Sequence, residues 1–142
     1  MAIIVAVDES DRATRILTVG EDLARAYDDE LVVVHVTPED IVESRRESFD
    51  EYYRDDAVED AATVARTATE GVVSAETDVE IVGRVGVVVS ELLEEATERD
   101  ARYLVIGGRK RSPTGKALFG STTQSILLNA ELPVVSVIGI EK

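Results

Sequence analysis

Positive charge is concentrated in one short segment of a strongly acidic chain. Four basic residues fall within eight positions, although the formal net charge of the chain is -14: Arg109, Lys110, Arg111 and Lys116. The segment follows Gly107 and Gly108 and ends at Gly120 and Ser121, where the apolar pattern predicts that a helix begins. Backbone N–H groups at a helix N-terminus attract anions, phosphates in particular. Basic residues beside such a terminus would counter the charge of a polyanion that the rest of the chain repels, so we predict an anion site here.

Asp8 is the second candidate, because an acidic residue directly follows the apolar run that forms the first strand. Ligands of open parallel sheets bind beyond the carboxyl ends of the strands, at the point where the strand order reverses. An acid in this position also often begins the next helix, so a ligand contact and a capping or turn function both remain open. His35 lies inside a strand pattern with no second His or Cys partner, and we interpret it as a packed residue.

Two common phosphate-binding motifs are excluded by spacing. The basic segment imitates a P-loop, but the pattern from Gly108 is G-x6-G-K, and Ala117 stands where a magnesium-binding Ser or Thr is required. No G-x-G-x-x-G follows the first strand, which excludes classical dinucleotide binding. We also find no paired carboxylates and no nucleophile with an adjacent base, so the sequence indicates a binding protein and at most a slow ATPase.

Composition predicts one globular domain over residues 1–142, since 142 residues with 44% hydrophobic content can bury one core. No apolar run approaches the roughly 20 residues of a membrane span, and the start resembles no signal peptide, so we expect a cytoplasmic protein that does not contact membranes. The absence of cysteine excludes disulfides, thiolate chemistry and Cys-based metal sites.

The chain has 29 acidic against 15 basic residues, more than solubility requires. An anionic surface of this kind suits concentrated salt, where the Debye length falls to about 3 Å and self-repulsion is screened. We therefore expect a halophilic source, with an acidic face for a basic partner as the alternative. The same charge disfavours nucleic-acid binding.

Five apolar runs predict the strands of a parallel sheet, and they are Ala2–Asp8, Leu31–Val36, Asp78–Gly83, Arg102–Gly108 and Pro133–Ile140. Helical periodicity separates them in four places, with Ser10 or Asp11 predicted as the first N-cap and Ser121 able to cap the last helix. This alternation predicts an α/β three-layer sandwich. We expect an irregular, mobile connection over Thr37–Phe49 and a turn over Gly83–Gly86.

The chain resembles the universal stress protein family over nearly its whole length. The resemblance rests on "IIVAVDES", "LVVVHV", "YLVIGG" and, most specifically, "FGSTTQSILLNAELPVVSV". It implies a Rossmann-like fold of the adenine nucleotide alpha hydrolase type, with five parallel strands in the order 3-2-1-4-5. It also implies a homodimer that pairs through the final strand, about Pro133–Ile140.

One branch of this family binds ATP through a G-x2-G-x9-G-[ST] motif. Gly107, Gly120 and Ser121 match its ends with the spacing preserved, whereas Lys110 replaces the middle glycine. The resemblance implies that Asp8 meets the adenosine and that Val36 and Ile106 line the adenine pocket. The residues implied to hold ribose or phosphates are Gly107, Gly120, Ser121 and Thr122. Arg109 and Lys110 would then serve as charged phosphate partners, and ATP, alone or with Mg²⁺, would be the ligand.

From these residues we expect a homodimeric stress-response protein that binds an adenine nucleotide in the loop after the fourth strand. Lys110 favours an alternative, a family member that binds no nucleotide and acts as a protein-interaction or regulatory scaffold. A phosphate-transferring enzyme ranks last, because a lone Asp8 is a poor magnesium site unless phosphates complete it.

Overall fold

The computed structural model describes residues 1–108 and 120–138. Their strands are β1 (Ala2–Ala6), β2 (Glu30–Thr37), β3 (Val79–Val85), β4 (Ala101–Gly107) and β5 (Val134–Val137). Their helices are α1 (Ala13–Tyr27), α2 (Glu39–Ser48), α3 (Arg54–Thr69), α4 (Val88–Glu98) and α5 (Ser121–Asn129). All neighbouring strands pair in parallel, in the order β3-β2-β1-β4-β5, which confirms the fold class and the strand order.

Helices cover both faces of this sheet, because its central strands are apolar on both sides. One core cluster joins Ile3 and Val5 of β1 to Leu17 of α1 and to Ala65 of α3. The opposite cluster joins Ile4 of β1 to residues of α4 and α5. Full burial of a Val, Leu or Ile side chain contributes about 1.5–3 kcal/mol, so the two clusters hold the sheet between two helical layers.

The connection after β2 is a helix, and the expectation of an irregular segment over Thr37–Phe49 is wrong. Pro38 precedes α2, acidic residues occupy its first turn, and Arg45 and Arg46 occupy its last turn, which suits the helix dipole at both ends. Val42 is fully buried and packs with Ala57 and Val85. A single buried position in ten residues leaves almost no apolar period, and this is why the sequence pattern did not reveal the helix.

The turn expected over Gly83–Gly86 is also only partly correct. Gly83 lies inside β3, and a Cβ there would stand 2.3 Å from the carbonyl oxygen of Val58 and 2.4 Å from the backbone nitrogen of Ala62. Glycine is therefore required because α3 packs directly on the strand backbone. Gly86 follows the strand at a φ of 148° and forms the turn into α4.

Within the described residues, no helix combines the length and the apolar character needed to cross a bilayer.

Candidate functional site

A cleft of about 370 Å³ opens beyond the carboxyl ends of β1 and β4, the two strands at which the sheet order reverses. Its apolar wall includes Val36, Leu92 and Ile106, and its polar rim includes Asp8 and the start of α5. Clefts that combine an apolar wall with a few convergent polar groups are typical of small-molecule sites, and open α/β sheets bind ligands at this position.

The cleft brings together seven of the residues selected from the sequence. These residues are Asp8, Val36, Ile106, Gly107, Gly120, Ser121 and Thr122. They come from the ends of β1, β2 and β4 and from the first turn of α5, so four separate parts of the chain converge. The other two candidates, Arg109 and Lys110, lie outside the described residues.

The start of α5 faces the cleft and is tied to the end of β4. The hydroxyl of Thr123 donates a hydrogen bond of 2.9 Å to the carbonyl oxygen of Gly107. Gly120 is the N-cap, with no side-chain capping bond, whereas Ser121 is the first helical residue, so the capping expected of Ser121 is wrong. Gly120 supplies no side chain to cap the N–H groups of the first turn, and the residues that begin α5 line the cleft.

The loop that follows Asp8 fixes the orientation of its carboxylate through hydrogen bonds. One carboxylate oxygen of Asp8 accepts hydrogen bonds from the Ser10 N–H at 2.8 Å and the Ser10 hydroxyl at 2.5 Å. Partial burial alone would raise the pKa of Asp8, but these bonds and the nearby Arg12 and His35 outweigh burial and lower it. Asp8 is thus an anionic acceptor that could bind hydroxyl groups of a ligand.

The first helix begins differently from the expectation. Its N-cap is Arg12 rather than Ser10 or Asp11, and it lacks a side-chain capping bond. Ser10 is engaged with Asp8 instead, and its carbonyl oxygen accepts a bond from Ala13 N–H. The loop therefore orients Asp8 toward the cleft instead of capping α1.

Two further cleft residues, Arg12 and His35, were not selected as site residues from the sequence. Nδ1 of His35 donates to the carbonyl oxygen of Val7 at 2.8 Å, because a carbonyl oxygen can only accept. In the neutral tautomer that makes this bond, the free lone pair lies on Nε2. His35 is half-buried, in agreement with a packed residue, yet it also lines the cleft. Its position near the carboxyl end of β2 is the sequence signal that could have indicated this.

Among the described residues, no group of three or more His, Asp or Glu side chains is arranged to hold a metal ion. The described part of the cleft offers apolar contact, hydroxyl groups, the Asp8 carboxylate, the backbone N–H groups that begin α5 and the Arg12 guanidinium. This combination fits a ligand that has a flat apolar portion, hydroxyl groups and an anionic end.

The strand order and the helices on both faces define an α/β three-layer sandwich, with its cleft at the point where the strand order reverses. The chain belongs to the universal stress protein family, whose model matches residues 1–137. A universal stress protein from Archaeoglobus fulgidus has a similar structure, with 35% identity, a TM-score of 0.61 and coverage of 96% of this chain and 97% of that one. Another structure, of the universal stress protein from Archaeoglobus fulgidus in complex with dAMP, has 29% identity and a TM-score of 0.57, with coverage of 96% of each chain.

A universal stress protein from Mycolicibacterium smegmatis is 49% identical over 47 residues. The match spans 33% of this chain and 36% of the length of that relative. It therefore supports the family for one segment, whereas the family model supports it for almost the whole chain.

Proposed function

We propose that this protein binds an adenine nucleotide in the cleft between β1, β4 and α5, and that it acts as a binding module. The supporting observation is the convergence of seven residues of the nucleotide pattern on one cleft. The relative in complex with dAMP, which is 29% identical over 96% of both chains, supports adenine as the base.

Each part of the ligand has a chemically suitable partner. Val36 and Ile106 offer the apolar surface that a purine ring needs, and the Asp8 carboxylate can accept bonds from ribose hydroxyls. The N–H groups that begin α5, at Ser121 and Thr122, suit phosphate oxygens. We propose ATP, alone or with Mg²⁺, as the physiological ligand, and that the bound state is the stress signal.

The sharpest test adds one negative charge at a position where it should not harm the fold. Ser121→Glu places a carboxylate at the N-terminus of α5, where an acidic side chain favours the helix but repels phosphate. Gln124→Glu is the matched control, because it adds the same charge to an exposed position of α5 that does not line the cleft. Titration calorimetry with ATP and Mg²⁺, AMP and GTP in multimolar KCl measures the result.

We expect the wild type and Gln124→Glu to bind adenine nucleotides in preference to GTP, and Ser121→Glu to lose that binding while keeping its unfolding midpoint. Equal binding by Ser121→Glu would place the phosphates elsewhere. A folded wild-type protein that binds neither ATP nor AMP would refute the proposal.

A folded protein that binds no nucleotide would favour the alternative, a protein-interaction scaffold. One surface feature supports this alternative. Phe49 and Tyr53, at the ends of α2 and α3, are 62% and 63% exposed, and Ile41 of α2 is 41% exposed. Aromatic residues such as Phe and Tyr are enriched at protein–protein interfaces relative to the rest of the surface.

We further propose that the protein is a homodimer that pairs through its final strand. β5 stands at the edge of the sheet, and the carbonyl oxygens of Pro133 and Val137 point toward β4. The backbone groups of Val134 and Ser136 consequently face the free edge. Sedimentation equilibrium should give the mass of a dimer, and hydrogen-exchange measurements should show slow exchange at the amides of Val134 and Ser136. A monomer mass would contradict the proposal.

A further inference from the structure

Arg12 lines the proposed nucleotide cleft together with Asp8 and the start of α5. It stands between the carboxyl end of β1 and the first residue of α1, with helical φ and ψ of -66° and -21°. Among the cleft residues that the structure describes, Arg12 is the one that carries a guanidinium group. In a chain of net charge -14, a local cation of this kind matters for any anionic ligand.

The position of Arg12 is not explained by helix stability. N-cap positions favour Ser, Thr, Asp and Asn, whose side chains accept a bond from the first turn, and arginine cannot do so. A cation at a helix N-terminus also opposes the helix dipole. The first turn of α1 contains no acidic residue that would offset this charge. Residues that break a local rule without a compensating structural gain are candidates for function.

The hydrogen-bonding capacity of Arg12 is poorly used in the described part of the chain. Its Nη2 lies 3.8 Å from Oδ2 of Asp8, beyond hydrogen-bond range, and its Nε donates to the Ser10 hydroxyl at a long 3.4 Å. Arg102, by contrast, donates to the buried Asp29 at 2.7 Å. The loose pairing leaves the terminal N–H groups of Arg12 able to take a better acceptor.

We propose that Arg12 is a specificity-determining residue of the cleft, which donates to a phosphate group of the ligand and has Asp8 as its resting partner. Guanidinium groups match phosphate oxygens in a bidentate geometry, and such charge-assisted bonds are about twice as strong as neutral ones. The cleft therefore prefers a phosphorylated adenine ligand to the free nucleoside. This inference rests on the proposed function, and it names the residue that selects for phosphate.

The test compares the affinities for AMP and for adenosine, because the two ligands differ only in the phosphate. Calorimetric titrations of the full chain would use the wild type, Arg12→Ser, Arg12→Lys and Arg15→Ser. Arg12→Ser removes a cation that opposes the dipole at the N-terminus of α1, so it should fold at least as stably as the wild type. Arg15→Ser is the matched control, because Arg15 is exposed on the same helix and does not line the cleft.

We expect Arg12→Ser to lower the ratio of AMP affinity to adenosine affinity by about tenfold, mostly through loss of AMP affinity. Arg12→Lys should retain part of that ratio, because it keeps the charge without the planar fork. Arg15→Ser should keep the whole ratio. If Arg12→Ser keeps the wild-type ratio of AMP affinity to adenosine affinity, this inference is wrong, whereas the proposed function is unaffected. A wild type that binds neither ligand would overturn the proposed function and this inference with it.

Discussion

Thr123 and Gly107 join the first turn of α5 to the end of β4 through a hydrogen bond of 2.9 Å. Thr123→Val keeps the side-chain volume and removes the donor. We expect the free energy of unfolding to fall by about 1 kcal/mol, the usual effect of losing one such bond. Nucleotide binding should also weaken, because the N–H groups of α5 lose their fixed position relative to β4. Urea unfolding and titration with AMP measure the two effects.

Thr123→Ser is the control for this prediction, since it keeps the hydroxyl. We expect it to retain most of the wild-type affinity. If Thr123→Val binds AMP as tightly as Thr123→Ser does, the bond does not position the helix for ligand binding.

A second prediction concerns Glu95, a carboxylate of α4 that is only 3% exposed. It accepts a bond of 2.6 Å from Arg84 and one of 2.8 Å from Arg99. Burial alone would lower the pKa of Arg84, but its bonds to Glu91 and Glu95 outweigh this and raise it. Glu95→Ala would remove an acceptor that two partly buried cations share, at a cost of about 3 kcal/mol in the free energy of unfolding.

Glu94→Ala is the matched comparison, because Glu94 lies 3.3 Å from Arg84 but is 55% exposed. An exposed ion pair contributes under about 1 kcal/mol. Urea unfolding of both variants should therefore separate them clearly. Equal losses would mean that the neighbouring carboxylates replace Glu95.

The strands and four of the helices could be predicted because their apolar periods extend over many residues. The missed helix α2 buries only Val42, so its amphipathic signal was too weak to detect. Gly83 resembled a turn residue because the sequence does not show that α3 packs against its Cα. In both cases the decisive contact comes from a residue distant in the chain.

The candidate site likewise contains residues that could be predicted from the sequence and residues that could not. Gly107, Gly120 and Ser121 were recognised because they belong to a motif with fixed spacing. Arg12 was not recognised, because its place in the cleft depends on where the loop after β1 turns. Ser10 and Asp11 are better capping residues than Arg12, and this local preference led to the wrong N-cap.

A third prediction concerns acid stability and Asp29, whose side chain is 5% exposed. The hydrogen bond from Arg102 lowers the pKa of Asp29 below its ordinary value of 3.8, and the charge of the Met1 amino group acts in the same direction. A carboxyl group whose pKa is lower in the folded state stabilises the fold above its unfolded pKa. This contribution is lost as the pH falls through the folded value.

Asp29→Asn should therefore be less stable than the wild type at pH 7, with a difference that shrinks below about pH 4. The neighbouring Asp28→Asn is the control, because Asp28 has a φ of 55°, a conformation that Asn also tolerates. Urea midpoints measured from pH 7 to pH 2.5 would show the trend. A difference between wild type and Asp29→Asn that stays constant over this range would contradict the assignment.

The fourth prediction concerns salt, and it follows from 29 acidic residues against 15 basic ones. Repulsion among the surplus carboxylates opposes the compact state, and multimolar KCl reduces the range of this repulsion to about 3 Å or less. We expect the urea midpoint to rise between dilute and multimolar KCl, because the exposed ion pairs that salt weakens contribute little. An unchanged or falling midpoint would remove the halophilic interpretation.

Salt can also stabilise proteins without acting on their charges, and a triple variant separates the two effects. Asp22→Asn, Glu47→Gln and Glu70→Gln together remove three exposed carboxylates and change the net charge from -14 to -11. If KCl acts by screening repulsion, this variant should be more stable than the wild type in dilute buffer and should gain less from added KCl. An equal gain in both proteins would show that KCl strengthens apolar burial instead, and that the acidic surface serves another purpose, such as contact with a basic partner.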